Sequence, residues 1–178
     1  MKITANGFRV YITPPQSSDE KPFIAAMSKS TGLHHPWVSA PKTRPAWKRY
    51  LKRTEKDSEA GFLVKRQLDE QICGVVNLNI ITYEALCSAY MSYYGVSGMS
   101  EKGYMKEGLE LVIRYAFGKL ELHRLEANIQ PDNLASIALA KSVGLQREGF
   151  SPRFLKINGK WRDHERWAIL SDRDDFED

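Results

Sequence analysis

The stretch Tyr93-Tyr94-Gly95-Val96-Ser97-Gly98-Met99-Ser100-Glu101-Lys102-Gly103-Tyr104-Met105 decides how this chain is read. A strand-like run from Cys87 to Tyr94 gives way to a short loop, Ser97 to Lys102, which opens directly onto a helix near Gly103. Met105, Leu109, Val112, Ile113, Ala116 and Leu120 then recur along one helical stripe. Glu107 and Glu110 near the start, with Arg114 and Lys119 near the end, suit the helix dipole. A helix N-terminus carries unpaired N–H groups and partial positive charge, so a loop of this form makes an anion site suited to a pyrophosphate. Gly103 lets a phosphate approach the backbone closely, and Lys102 adds a positive charge. Taken alone, Gly98 and Gly103 read equally well as residues that only make turns.

Outward from that stretch, the upstream half begins with the strand Phe8 to Thr13, stopped by Pro14-Pro15. Ser18-Asp19 caps a helix running to about Ser30, with Phe23, Ile24 and Met27 on one face, before a turn-rich Gly32 to Trp37. The next helix starts near Thr43. Its stripe of Trp47, Tyr50, Leu51 and Thr54 points Trp47 inward, while Lys48, Arg49, Lys52, Arg53 and Lys56 read as a solvated face ahead of a binding patch. Strands Gly61 to Arg66 and Gln71 to Thr82 follow.

Downstream come a strand from Leu122 to Gln130, a short helix from Pro131-Asp132-Asn133 ending at Gly144, and a final hairpin. Its arms, Arg147 to Ile157 and Lys160 to Leu170, meet at Asn158-Gly159. The acidic tail Asp172 to Asp178 reads as solvated. The order β-α-α-β-β-β-α-β-α-β-β implies one mixed α/β sheet with helices on its faces, in a single domain over residues 1–178.

Composition narrows the class. With 178 residues, 42% hydrophobic and 27% charged, the chain suits one soluble domain with a real core. The N-terminus lacks the apolar run of a signal peptide, and no stretch approaches a membrane span, so a cytoplasmic protein with no membrane partner is expected. Cys73 and Cys87 lie in apolar strand-like runs and read as reduced thiols, with no metal site. A net charge of +4 suits an anionic ligand but does not by itself indicate DNA or RNA.

Ser100-Glu101-Lys102-Gly103-Tyr104-Met105 followed by an amphipathic helix resembles the acetyl-CoA pyrophosphate loop of the GNAT acetyltransferases. His123-Arg124-Leu125-Glu126-Ala127-Asn128, Pro131-Asp132-Asn133-Leu134-Ala135-Ser136, Lys141-Ser142-Val143-Gly144-Leu145 and Glu148-Gly149-Phe150 are similar to that family's later strand and helix. His35-Pro36-Trp37 and Gly159-Lys160-Trp161-Arg162-Asp163-His164 resemble its ribosomal-protein N-terminal-alanine acetyltransferase branch.

The resemblance implies the GNAT fold: a central mixed, mostly antiparallel sheet with helices on both faces. It also implies acetyl-CoA as co-substrate, held by Tyr94, Gly95, Val96, Lys102, Gly103, Tyr104, Met105, Asn133 and Ser136. Within that set, Asn133 would hydrogen-bond the pantetheine arm, and the strand end at Tyr93 to Val96 would pair with its amides. Ser136 would protonate the departing thiolate, and a backbone N–H near Gly95 or Val96 would stabilise the oxyanion.

The sequence also departs from the family. Gly98 stands where the loop usually has Gln or Arg, and Glu101 replaces its first glycine. Either Glu101 turns to solvent or cofactor affinity falls, because like charges repel. The tyrosine that serves many relatives as the acid is Ala140 here.

The reaction implied is attack of a neutral amine on a thioester. A protein α-amine titrates near ~7.7–8.0 and lysine near ~10.4, so roughly 10% of the former but under about 0.1% of the latter is free at neutral pH. An N-terminal acceptor thus needs only a weak base or ordered water, for which His164 and His35 are the available imidazoles, with Asp163 orienting His164 or capping the hairpin. Trp37, with His35, is expected to line the acceptor cleft. The leading expectation is acetylation of a protein N-terminus, of a ribosomal protein in particular, by a monomer or homodimer. A small amine such as a polyamine, aminoglycoside or amino-acid-like toxin is the second. A non-catalytic acyl-CoA sensor or RNA-binding module is the third.

Overall fold

The computed structural model describes residues 4–171; the acidic tail therefore lies outside the described residues. A two-residue strand β1 (Ala5–Asn6) turns back into β2 (Val10–Thr13), and helices α1 (Glu20–Lys29), α2 (Thr31–His34) and α3 (Arg44–Arg53) follow. Strands β3 (Glu59–Arg66), β4 (Ile72–Thr82) and β5 (Ser88–Gly95) form a meander. Then come α4 (Tyr104–Gly118), β6 (Arg124–Ile129), α5 (Leu134–Ser142), β7 (Gln146–Ile157) and β8 (Lys160–Leu170).

The expected order holds, with β1 and α2 added. The Gly32 to Trp37 segment is thus not all turn: its first part is helical. Thr43 caps α3 by accepting from the Ala46 N–H, as its residue type suggests. Asn158 and Gly159 both take left-handed backbone angles (φ 50° and 80°), the form a two-residue hairpin turn requires.

All eight strands among the described residues join one sheet in the order β1-β2-β3-β4-β5-β6-β8-β7. Every pair is antiparallel except β5 with β6. Alternation sends Val10, Ile12, Phe62, Val64, Val76, Leu78 and Met91 to one face, where α4 packs through Leu109, Val112 and Ala116. Gly108 permits that close approach, since a Cβ there would sit 2.6 Å from Val64 Cγ2. The opposite face carries Leu63, Ile72 and Val75 beneath Phe23, Met27, Trp47 and Tyr50 of α1 and α3. Trp47 is fully buried, and Lys48, Arg49, Lys52, Arg53 and Lys56 are exposed. The start of α1 is tied to β3 by a buried ion pair, Lys65 Nζ to Asp19 Oδ1 at 2.7 Å.

No described helix is long and apolar enough to cross a membrane, and no cluster of three or more His, Cys, Asp or Glu stands ready for a metal among the described residues. Cys73 is a buried free thiol and Cys87 a half-buried one.

Candidate active site

The site begins where the one parallel pair fails. β5 and β6 are bonded only over Ser88 to Tyr90 against Arg124 to Glu126. Beyond that point β5 stays with β4 and β6 stays with β8, so the sheet opens. A cleft of about 1120 Å³ occupies the opening. Residues from both faces of the sheet line it: Gly103, Met105 and Ser136 from the α4–α5 side, and His34, Trp37 and Val38 from the α2 side.

The backbone of β5 supplies the wall of the gap. Val96 donates its N–H to the Cys73 carbonyl at 2.9 Å, which makes Cys73 and Val96 a hydrogen-bonded pair. Alternation along an antiparallel ladder then turns the N–H and C=O groups of Gly95 and Tyr93 away from β4 and toward the opening. Tyr94 and Val96 face the other way. Of the expected trio Tyr94, Gly95 and Val96, Gly95 alone presents backbone groups to the gap. The Val96 N–H is spent inside the sheet and is removed as an oxyanion donor.

The loop before α4 has the conformation its glycines suggest. Gly98, Glu101 and Gly103 are all left-handed (φ 83°, 61° and 77°), and Gly103 occupies the N-cap. Glu101, the departure from the family pattern, lies at the cleft with its side chain exposed, the solvent-facing alternative. Gly103 and Met105 line the cleft, whereas Lys102 and Tyr104 do not. The Lys102 ammonium folds back onto the Gly98 carbonyl at 3.0 Å, and Tyr104 lies under the guanidinium of Arg9, 5.3 Å from its ring centre. The cation that does reach the cleft from this helix is Lys106, one turn further on.

Arg9 holds the loop in place from the far end of the chain. Its Nη1 donates to the Lys102 carbonyl at 2.8 Å, and its N–H and Nε donate to Glu107 at 2.7 and 3.1 Å. Burial works against ionisation of Glu107, but the N–H groups of Arg9 and Val10 outweigh it and hold its pKa below the ordinary carboxylate value. Nothing local in the sequence links Arg9 to Glu107.

On the opposite wall Asn133 caps α5, its Oδ1 accepting from the Ser136 N–H at 3.2 Å. Asn133 and Ser136 both line the cleft. Tyr93 donates its hydroxyl to the Ser136 carbonyl at 2.9 Å, bracing the first turn of α5 against β5. Burial raises the Tyr93 pKa, so the phenol stays protonated and keeps that bond. Ala140 is fully buried, so that position presents no group to the cleft.

His34 and His35 have distinct places. His35 is exposed and does not line the cleft. His34 does: it is 4% exposed, donates Nε2–H to the Gly95 carbonyl at 2.8 Å and packs edge-on against Tyr94, with Nδ1 unpaired among the described residues. Two adjacent histidines at a helix end gave no local signal of which one would turn inward.

His164 is 3% exposed and lines the cleft. Its Nδ1 lies 3.0 Å from the Arg162 carbonyl, which can only accept, so Nδ1 carries the proton and Nε2 keeps its lone pair. Burial disfavours the imidazolium and lowers the His164 pKa, with the Arg162 carbonyl opposing. Asp163 points elsewhere. Its carboxylate accepts from the Arg153 N–H at 2.7 Å and fixes the bulge that delivers Phe154 and Leu155 to the cleft.

Ile80 reaches the same end from the bulge in β4, at φ 52°. A β-branched residue holds that conformation at a cost of about 1–2 kcal/mol. Glu101 is the one carboxylate among the described residues that line the cleft.

An opened parallel pair, a helix N-terminus at its mouth and a second helix braced across it define an acetyltransferase frame. The chain belongs to the GNAT family: the family model described as an acetyltransferase (GNAT) domain matches residues 9–146. A probable N-acetyltransferase of Bacillus subtilis, YjcK, is 39% identical over 126 residues, 71% of this chain and 70% of that protein. The ribosomal protein uS5-alanine N-acetyltransferase of Escherichia coli is 33% identical over 58% of this chain and 53% of its own length.

Solved structures agree in fold. The ribosomal-protein-S5-alanine acetyltransferase of Vibrio fischeri superposes with a TM-score of 0.86 at 23% identity, covering 97% of this chain and 98% of its own. RimJ of Mycobacterium smegmatis, in complex with CoA-disulfide, gives 0.84 at 24% identity over 91% of this chain and 82% of its own. Spermidine N-acetyltransferase of Vibrio cholerae, in complex with CoA and spermine, gives 0.77 at 20% identity over 91% and 95%. This chain is thus an N-acetyltransferase by family.

Proposed function

We propose that this enzyme transfers an acetyl group from acetyl-CoA to the N-terminal α-amine of a protein, a ribosomal protein being the leading acceptor. The observation that carries the reading is the charge of the cleft: Glu101, at the α4 end, is its one carboxylate among the described lining residues. A polyamine keeps further ammonium groups after one amine has been deprotonated, and each needs a partner when taken out of water. The wall formed by Trp37, Val38, Ile80, Phe154, Leu155 and Ile157 offers none. An N-terminal residue brings a single amine.

The residues suit the two halves of such a transfer. The Gly95 N–H, the Tyr93 backbone groups, the α4 N-terminus, Lys106 and Asn133 would hold acetyl-CoA along the gap. Acetyl-CoA supplies the thioester, coenzyme A leaves as the thiolate, and Ser136 is assigned the proton for that sulfur. His164, neutral at pH 7 because burial lowers its pKa, keeps Nε2 as a weak base. Such a base matches an α-amine titrating near ~8 better than a lysine near ~10.4. The likeness to ribosomal-protein acetyltransferases supports the same acceptor class.

The test is acetyl-CoA-dependent thiol release over N-terminal peptides, lysine peptides, polyamines and aminoglycosides. Turnover should be confined to the N-terminal peptides. Turnover restricted to small amines overturns the protein-acceptor reading, and binding of acetyl-CoA without any turnover favours a sensor.

A further inference from the structure

The two walls of the acceptor end are tied to each other by one side chain. Asn158, at the tip of the β7–β8 hairpin, donates Nδ2–H to the Pro36 carbonyl at 3.2 Å and accepts at Oδ1 from the Ser39 hydroxyl at 2.8 Å. Trp37 and Val38, enclosed between those two partners in sequence, line the cleft, and so does Ile157, the neighbour of Asn158. A primary amide offers a donor and an acceptor side by side, so Asn158 alone closes both bonds. Its left-handed backbone, φ 50°, is one that asparagine tolerates better than most residues.

We infer that Asn158 is a positioning residue for the acceptor: its amide straps the hairpin to the loop after α2 and fixes Trp37 and Ile157 on either side of the incoming chain end. The inference rests on the transferase reading above. The strap stands apart from the cofactor machinery, for it touches neither the α4 loop nor α5. Its loss lets the hairpin tip move relative to that loop, whose Trp37 and Val38 N–H groups stay bonded to the His34 carbonyl at 2.7 and 2.9 Å. A pre-set wall lowers the ordering cost of binding, so its release is felt in acceptor affinity.

The experiment compares wild type with Asn158→Gly, Asn158→Asp and Ser39→Ala, using acetyl-CoA and an alanine-initiated peptide. Glycine accepts the left-handed turn but has no amide. Asn158→Gly should raise the acceptor KM about 3-fold, with kcat at saturating peptide and the acetyl-CoA KM each within about 1.5-fold of wild type. Asn158→Asp keeps the acceptor for Ser39 and loses the bond to Pro36, so it should fall between wild type and Asn158→Gly, as should Ser39→Ala. An unchanged acceptor KM in Asn158→Gly, or an equal rise in the acetyl-CoA KM, overturns the strap while leaving the transferase reading intact. Wild-type protein that binds acetyl-CoA in calorimetry but turns over no acceptor overturns that reading, and the strap's role with it.

Discussion

At one end of the cleft the lining is mostly backbone: the N-terminus of α4, the Tyr93 backbone groups and Gly95 N–H turned away from β4, and a loop with three left-handed residues. At the other it is side chain: Trp37, Ile80, Phe154, Leu155 and Ile157, delivered by two bulged strands and a loop. Backbone groups suit a ligand whose polar skeleton is constant, because they come with the fold. Side chains on loops and bulges change without disturbing the sheet, so the variable partner is met there. Under the proposed function, the first end suits acetyl-CoA and the second suits selectivity.

That division can be broken by substitution. The largest effect is expected from Ser136→Ala, which should lower kcat on the order of 100-fold with the acetyl-CoA KM unchanged, as for loss of a proton donor. Because Asn133 and Tyr93 bond the backbone of Ser136, the variant keeps its local fold, and unchanged turnover would remove the acid role. Gly103→Val places a side chain at φ 77° with its Cβ 2.9 Å from Arg9 Nη2, so the free loop relaxes to another conformation that binding must reverse at about 1–2 kcal/mol, and acetyl-CoA affinity measured by calorimetry should fall roughly 5- to 30-fold.

Trp37→Ala should do the reverse, raising the acceptor KM by about 5-fold while acetyl-CoA affinity holds; a matching loss of cofactor affinity would show that the ends are not separate. The smallest effect concerns stability. His164 is held below its ordinary pKa, so the unfolded chain binds the proton more readily, and the contribution is present above about pH 6.5 and lost as pH falls through the folded value. On acidification from about pH 7 to about pH 5, the wild-type Tm should drop about 2 °C more than that of His164→Gln. Parallel melting profiles would argue against a buried neutral imidazole.

Much of the α4–α5 end of the cleft was legible beforehand. Gly103 at the mouth of an amphipathic helix and Asn133 three residues before Ser136 are local patterns, and local hydrogen-bonding rules place them. The opposite end was legible only in part: Trp37 and His164 line the cleft as expected, but Ile80, Phe154 and Leu155 reach it through bulges that no local pattern marks. His34 rather than His35 turned inward because its imidazole meets the Gly95 carbonyl, on a strand far along the chain. Lys106 rather than Lys102 reached the cleft because Lys102 is satisfied by the Gly98 carbonyl, a contact set by loop geometry.

Periodicity and turn chemistry, which act over a few residues, are enough to specify the order of elements, a mixed sheet with helices on its faces and a glycine-bearing loop before α4, while the family is legible in motifs spread along the chain. Tertiary structure decided which backbone groups face the gap, through strand pairing at Val96. It decided what holds the loop, through Arg9 and Glu107, and which surface meets the acceptor, through the bulges and the Asn158 tie. Those depend on contacts between residues far apart in the chain, whose energies no local pattern records.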